Sequence, residues 1–103
     1  MRFVGGQWVD KGAVPTAAPL VVKLPAGGDT SVTAKPGASG AVTIEWTVAD
    51  PADIDAGTAL WFASTVTASA TAANAVRVGP TTGVRITAAT SAGSYELVQR
   101  EIA

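Results

Sequence analysis

The sequence predicts an all-β protein: an antiparallel β-sandwich of about seven to eight strands, immunoglobulin-like or jelly-roll-like, with an extended N-terminal arm. Apolar and polar residues alternate in several short segments, as in strands that cover a core on one side. Turn residues separate these segments every eight to twelve positions or so, which is typical of sandwiches and small barrels. With 103 residues, the chain is long enough for one such domain. We therefore divide it into an arm, residues 1–18, and a sandwich domain, residues 19–103.

The first 18 residues differ in kind from the rest of the chain. Gly and Pro interrupt them at short intervals, and their large apolar side chains are Phe3, Val4, Trp8, Val9 and Val14. A terminal segment with so few apolar groups has to be held by contacts outside its own core. We therefore expect this arm to contact a partner through Phe3, Trp8 and Val9.

Two pairs of short apolar segments predict β-hairpins. Residues 20–24 and 30–34 are separated by a loop rich in Gly, and residues 84–87 and 95–100 by a loop of small and polar residues. Loops of about three to five residues that contain Gly are typical of hairpin connections. We therefore expect each pair to form two adjacent antiparallel strands.

The clearest strand signal lies in residues 42–48. Val42, Ile44, Trp46 and Val48 fall on one face at a period of two, and Thr and Glu occupy the other face. Aromatic side chains on an apolar strand face are usually buried. We therefore expect Trp46 in the core.

Residues 59–67 and 75–78 predict two further strands, joined through the Ala-rich residues 68–74. A helix over 68–74 would be marginal in water because it is short and has no apolar stripe of large side chains. Trp61 and Phe62 are neighbours in the first strand, so they point to opposite faces. One of them has to lie outside the main core, and we take Trp61 as the candidate anchor for a partner.

The residue types that are missing exclude most catalytic chemistry. The chain has no Cys and no His, which removes thiolate nucleophiles, Ser-His-Asp and Cys-His arrangements and ordinary zinc sites. The acidic residues outside positions 50–55 are scattered over different predicted elements, and no polar cluster surrounds them. We therefore expect a protein that is not an enzyme and uses no cofactor.

Charge and hydropathy limit the kinds of partner. Charged residues make up 15% of the chain and the net charge is −1. Without an excess of basic residues, the sequence does not predict binding to nucleic acid or anionic lipid. The uncharged residues 56–76 include many Thr and Ser, so they do not predict a membrane helix. Few charges with a mean hydropathy of +0.32 favour burial of part of the exterior against a partner. We expect a homo-oligomer, with a trimer as one candidate.

Asp50, Asp53 and Asp55 place three carboxylates within six positions. Carboxylate oxygens on a tight loop are ligands for a hard cation such as Ca²⁺, although no Glu closes the loop as in an EF-hand. Alternatively, Asp acts as turn and cap residue where a strand ends before Pro51. The sequence favours the second interpretation and does not exclude the first.

Aromatic residues leave a second class of function open. Trp8, Trp46, Trp61 and Tyr95 offer ring faces on which sugars stack, and Trp61 and Trp8 are the candidates for exposure because Trp46 is expected in the core. A glycan-binding or adhesin-type module is therefore the alternative to a structural role. An immunoglobulin-like domain of a larger protein is a third alternative.

The last 60 residues or so carry a resemblance to a known group of proteins. Residues 79–88, GPTTGVRITA, are followed by residues 93–99, GSYELVQ, and are preceded by a strand with the sequence VTIEW at residues 42–46. This order of segments resembles a pattern in small all-β structural proteins of tailed bacteriophages. There, a "GP…R.TA" strand pair and a "G…L.V.Q" final strand complete a compact sandwich.

The resemblance implies a virion component that acts without catalysis. A capsid decoration (cement) protein that binds the major capsid protein is the leading expectation, and a head–tail connector or a tail or fibre component is the alternative. Arg85 would then pair with a neighbouring strand or loop, and the arm would reach a neighbouring subunit. Small Ala, Thr and Gly side chains suit such contacts because they lose little rotamer entropy on burial.

Overall fold

The strand content is visible directly in a computed structural model, which describes residues 1–25, 28–38, 40–67 and 74–100. Within these ranges the chain forms nine strands and one short helix. The strands are β1 (Arg2–Val4), β2 (Gln7–Val14), β3 (Leu20–Lys23), β4 (Asp29–Pro36), β5 (Val42–Thr47), β6 (Phe62–Thr67), β7 (Asn74–Pro80), β8 (Gly83–Ala88) and β9 (Gly93–Arg100), and the helix is α1 (Pro51–Ala56). All strand pairs are antiparallel, and the predicted all-β sandwich is confirmed.

The strand order is that of a jelly roll with one strand added. One sheet has the order β1-β2-β9-β4-β7 and the other the order β3-β8-β5-β6. Strand β2 pairs with β9, β3 with β8, β4 with β7 and β5 with β6, so the two halves of the chain run beside each other like one long hairpin rolled into two sheets. The eight strands β2–β9 complete this roll, and β1 is the additional ninth strand.

The two predicted hairpins are wrong, although their strands exist. Strands β3 and β4 lie in different sheets, and so do β8 and β9. Each connection crosses the sandwich, where facing sheets are about 10 Å apart. The apolar faces of the successive strands are buried against each other from the two sheets, so the strands of each pair are not hairpin partners.

The N-terminal segment is built into the five-stranded sheet. Strand β2 pairs with β9 along its whole length, from Gln7 opposite Arg100 to Val14 opposite Gly93, and Val14 is fully buried. Strand β1 pairs with β2 alone and forms the margin of this sheet. Residues 2–14 are therefore strands of the sandwich rather than a separate arm, because β9 offers them a full row of backbone partners.

The core lies between the two sheets. Strands β4 and β9 alternate strictly between buried and less buried positions, as the period of two requires. The buried apolar residues are Val14, Val22, Leu24, Val32, Ala34, Val42, Ile44, Val84, Ile86, Ala88, Tyr95 and Leu97. Trp46 is half-buried and lies outside this cluster, so the expectation that it belongs to the core is wrong. It lies on the inner face opposite Phe62 of the margin strand β6, and Phe62 is itself 47% exposed.

Buried polar groups close one end of the sandwich. Gln99 is fully buried, and its Nε2 donates to the Thr81 carbonyl at 3.0 Å and to the Gly28 carbonyl at 3.3 Å. Buried carbonyls need such partners because water cannot reach them. Gln99 thereby holds two loops from different parts of the chain against β9.

The aspartate-rich segment after β5 is helix α1. Asp50 caps its first turn by accepting a hydrogen bond from the Ala52 N–H at 2.8 Å, and Pro51 takes the first helical position, where no N–H is needed. Gly57, with a φ of 76°, ends the helix in the left-handed conformation. The predicted connection over residues 68–74 lies outside the described residues, except for Asn74, which begins β7.

Candidate interaction surfaces

A tight turn positions the first group of predicted contact residues. Gly5 and Gly6 have φ values of 58° and 80°, the positive values that a two-residue hairpin turn requires. This turn places Phe3 opposite Trp8, and their rings meet edge to face with centroids 5.1 Å apart. Phe3 and Trp8 are thus brought together.

This aromatic pair faces inward but is not covered. Trp8 lies opposite Gln99, which is buried, so Phe3 and Trp8 occupy the inner face of their sheet. Phe3 is nevertheless 48% exposed, and its strand β1 is the margin strand of the sheet. We define the hairpin patch as Met1, Phe3 and Trp8; Val4 follows Phe3 in β1 and lies on the outer face. Val9, the third predicted residue, is half-buried beside it and points to the outer face.

Asp10 anchors β2 to the interior below the hairpin patch. It accepts a hydrogen bond from the Tyr95 hydroxyl at 2.8 Å and lies 3.5 Å from the Met1 amine. Burial, the hydrogen bond to Asp10 and the charge of that carboxylate together raise the pKa of Tyr95 to about 12. Strand β2 is therefore held in the sandwich by its pairing with β9 and by the Asp10–Tyr95 hydrogen bond, and β1 is held mainly by its pairing with β2.

Trp61 and Arg85 form a second group on the outer face of the four-stranded sheet. Glu45 lies opposite Arg85, and the Arg85 Nε and Nη2 donate to its two carboxylate oxygens at 3.0 and 2.9 Å. The Arg85 guanidinium also lies over the Trp61 ring, 4.6 Å from its centroid. We call Trp61, Arg85 and Glu45 the outer-face cluster. Its charges are paired and one ring face is covered, so these contacts are complete within one molecule.

The sequence interpretation missed a third group, at the margin formed by β6. Leu60 is 77% exposed, Phe62 is 47% exposed and Val48 is 57% exposed; Val48 follows Thr47, whose hydroxyl bonds to the Leu60 carbonyl. Phe62 stacks on Trp46, with ring centroids 4.9 Å apart. We define the edge patch as Val48, Leu60, Phe62 and Trp46. The sequence indicated that one of the neighbours Trp61 and Phe62 lies outside the main core, and Trp61 was chosen. In the structure Phe62 is the more exposed of the two.

Threonine hydrogen bonds fix the connection that carries the edge patch. The Thr47 hydroxyl donates to the Leu60 carbonyl at 2.7 Å, which holds the end of the connection to its beginning. The Thr81 hydroxyl donates to the Thr47 carbonyl at 2.7 Å, and the Thr82 hydroxyl donates to the Ala49 carbonyl at 2.6 Å. These hydrogen bonds therefore fix the backbone at Leu60, whose side chain is exposed to solvent.

The three aspartates of the 50–55 segment have separate structural roles. Asp50 caps α1, Asp55 pairs with the Lys23 amine at 2.8 Å, and Asp53 lies 3.4 Å from the Thr58 hydroxyl. In the described ranges no group of three or more His, Cys, Asp or Glu is placed to hold a metal ion. The cap and turn interpretation describes these contacts.

Comparison with known proteins bears on the fold. No protein-family model matches the chain, and no curated protein matches it. A solved structure that it is similar to is a chain from Bacillus endospore appendages, described as a novel family of disulfide-linked pili, with a TM-score of 0.50 and 17% identity over 99% of this chain and 98% of that chain. At this identity the likeness shows the shared sandwich fold. Among the described residues, no helix is long and apolar enough to cross a membrane.

Proposed function

We propose that this protein is a non-enzymatic structural subunit that associates with copies of itself, and that it serves on a virion as a capsid decoration protein. Self-association is the part of the proposal that the fold supports best. The capsid setting rests on the bacteriophage resemblance of residues 42–46 and 79–99.

One observation carries the structural role: large apolar side chains collect in two exposed patches on a sandwich with few charges. Leu60 and Phe62 in one patch and Phe3 in the other are each about half or more exposed. Contiguous exposed apolar groups mark protein contacts more often than they mark a free surface. Burial of these patches against another chain would also stabilise a domain that has no disulfide.

The pilus chain supports the same class of function, since it too is an assembling subunit with this fold. The means of holding copies together has to differ, because those pili are disulfide-linked and this chain has no Cys. Association here would rely on apolar contacts and charge pairs, and it would be insensitive to reducing agents. The proposal therefore includes a reversible, concentration-dependent assembly.

Light scattering after size exclusion, at increasing protein concentration, tests the self-association. We expect the mean mass to rise with concentration, equally with and without a thiol reductant. A monodisperse monomer over the whole range contradicts the structural proposal.

The capsid setting needs a separate test on particles. Mass spectrometry and immunogold labelling of virions purified from the source strain are expected to find this chain at the head, in many copies. Its absence from purified particles, or labelling confined to the tail, contradicts the decoration role and leaves self-association standing.

A further inference from the structure

We propose that β1 of one copy pairs with β1 of a second copy, antiparallel and with Phe3 opposite Phe3. The two five-stranded sheets then continue into each other as one sheet. This inference rests on the proposed self-association and assigns it to one strand, β1, and to one register.

The backbone of Phe3 faces the free side of β1. In the two-residue turn between β1 and β2, the Val4 carbonyl and the Gln7 N–H are the groups that bond across the turn. Hydrogen-bonded and non-hydrogen-bonded pairs alternate along antiparallel strands, so Phe3 and Trp8 form a pair without backbone hydrogen bonds. The N–H and the carbonyl of Phe3 therefore point away from β2, to a side on which no strand of the described ranges pairs with β1.

The four strands at the sheet margins differ in how their free sides are protected against pairing. Pro19 directly precedes β3, and β7 ends at Pro80, which has no N–H to offer a neighbouring strand. Strands β6 and β7 each carry an extra residue that shifts their register with β5 and β4, and such bulges hinder the addition of a further strand. Strand β1 has neither a Pro nor a register shift. Its free side is therefore the one that can accept a strand.

The side chains of β1 suit a second copy of the same strand. Opposite residues of an antiparallel pair share a face, so the two Phe3 rings lie side by side on the inner face, each in contact with Trp8 of its own copy. Phe3 is 48% exposed, and the second ring covers part of that surface. On the outer face, Val4 lies opposite Arg2 of the second copy, whose aliphatic stem can cover the Val4 side chain.

The register with Phe3 at its centre also satisfies the backbone and separates like charges. A hydrogen-bonded pair exchanges two bonds, so Phe3 of each copy supplies both partners that Phe3 of the other lacks. Arg2 lies opposite Val4, whereas a parallel pair in the same register would place the two Arg2 side chains next to each other. The contact is therefore two-fold symmetric, and each copy contributes the same surface.

The small size of this contact determines its strength. Three residues on each side bury far less than the roughly 1,000 Å² expected of a stable interface, so the dimer is weak in solution and is strengthened where copies are already held side by side. A two-fold contact ends at a dimer. The trimer expected as one candidate from the sequence would need a further surface.

Opposite charges at residue 3 test the two-fold contact. Phe3→Asp and Phe3→Lys each place two like charges opposite each other, and each variant alone is expected to weaken the dimer at least about tenfold. In an equimolar mixture unlike residues pair, so sedimentation equilibrium at up to about 1 mM protein should show more dimer than for either variant alone. Val21→Asp is the matched control, because Val21 is 44% exposed on another margin strand, β3, and it should dimerise like the wild type. Circular dichroism verifies that every variant is folded.

Cysteine pairs report the register and leave Phe3 in place. The chain has no Cys of its own, and residues 2 and 4 of the two copies lie opposite each other with their Cα atoms about 4.5 Å apart, within reach of a disulfide. A mixture of Arg2→Cys and Val4→Cys should therefore form a mixed disulfide on mild oxidation. Each variant alone should form much less, because equal positions are about 8 Å apart. Mass spectrometry distinguishes the mixed dimer from the two like dimers.

Three results would contradict different parts of this scheme. A wild-type protein that stays monomeric contradicts the proposed self-association itself. A wild type that dimerises while Phe3→Asp and Phe3→Lys behave like Val21→Asp overturns only the assignment to β1. Equal yields of mixed and like disulfides, with no recovery of dimer in the charge mixture, overturn the two-fold register.

Discussion

The outer-face cluster and the hairpin patch both place a Trp side chain at the surface, but only one of them is complete. Trp61 is covered by Arg85, whose charge is paired with Glu45. Trp8 is half-buried and meets Phe3 edge to face, and Phe3 itself is half-exposed. Surface aromatics therefore differ in whether their contacts are satisfied within the chain, and this difference separates a stabilising role from a binding role.

This comparison predicts that variants of the two regions affect different properties. Changes in the outer-face cluster and in the anchor of β2 should lower the free energy of unfolding and leave association unchanged. Changes in β1 should weaken association and leave the free energy of unfolding nearly unchanged.

The largest effect is expected at alkaline pH, from the Tyr95 anchor. The pKa of Tyr95 is raised to about 12 in the folded chain, above the ordinary value of 10.0. Its contribution to stability is therefore fully present below pH 10 and is lost as the pH rises towards 12. We expect the free energy of unfolding to fall by about 2 to 3 kcal/mol over this interval, as measured by urea denaturation at a series of pH values.

Tyr95→Phe is the control for this pH dependence, and its alkaline loss should be smaller by that amount. Tyr95 is the only Tyr in the chain, so absorbance of the tyrosinate form reports its ionisation directly. An ionisation midpoint near 10 in the folded protein would show that β2 is not anchored in this way.

Gly83→Val should disrupt the support of the outer-face cluster. A Cβ at Gly83 would lie 3.0 Å from the Ile54 Cδ1 and 3.2 Å from the Thr47 Cγ2, so a branched side chain has to displace α1 and Trp61. We expect a loss of about 2 kcal/mol in urea denaturation, with a red shift of Trp fluorescence. Gly79→Val is the matched control, because a Cβ there meets no atom within 4 Å. Equal losses in both variants would contradict the packing described.

Arg85→Ala is expected to cost about 1 to 2 kcal/mol, because it leaves the half-buried Glu45 carboxylate unpaired and uncovers Trp61. Lys23→Ala removes an ion pair whose side chains are 53% and 62% exposed, so its cost should not exceed about 0.5 kcal/mol. A double-mutant cycle of Arg85→Ala with Glu45→Ala isolates the energy of the pair. A weakened self-association in Arg85→Ala would instead assign the outer-face cluster to an interface.

Phe3→Ser should have the smallest effect on stability, within about 0.5 kcal/mol, because the side chain is already half in water. The same variant should weaken self-association, whereas Trp61→Ser should lower stability and leave association at the wild-type level. The two variants, measured side by side in urea and by light scattering, give the sharpest form of the comparison. Identical behaviour of the pair would remove the distinction between complete and incomplete aromatic contacts.

Local sequence signals located the strands far better than their partners. The alternation in residues 42–48 correctly predicted β5, and the segments at 20–24, 30–34, 84–87 and 95–100 all contain strands. The hairpins drawn between neighbouring segments were wrong, because each pair is split between the two sheets. Alternation records which side of a strand meets the core but carries no information on which strand lies beside it.

The candidate residues show the same limit at the level of side chains. Phe3, Trp8 and Trp61 were identified from their chemistry and Arg85 from the bacteriophage resemblance, and the structure brings these four residues together in two pairs. Sequence could not show that Arg85 covers Trp61, since this depends on the connection from β5 to β6 folding back over β8. Leu60 was missed because a single Leu in an irregular segment has no periodic pattern.

The amino-acid sequence by itself determined the all-β class, the positions of most strands and the absence of thiol and imidazole chemistry, because strand periodicity and residue type are local properties. The tertiary structure decided that the first strands join the five-stranded sheet, that Trp46 stacks on Phe62 of the margin strand β6, and that Phe3, Leu60 and Phe62 stay exposed. These features depend on contacts between residues far apart in the chain, such as β2 with β9. Which side chains stay uncovered is fixed only when the strands of both sheets are in place.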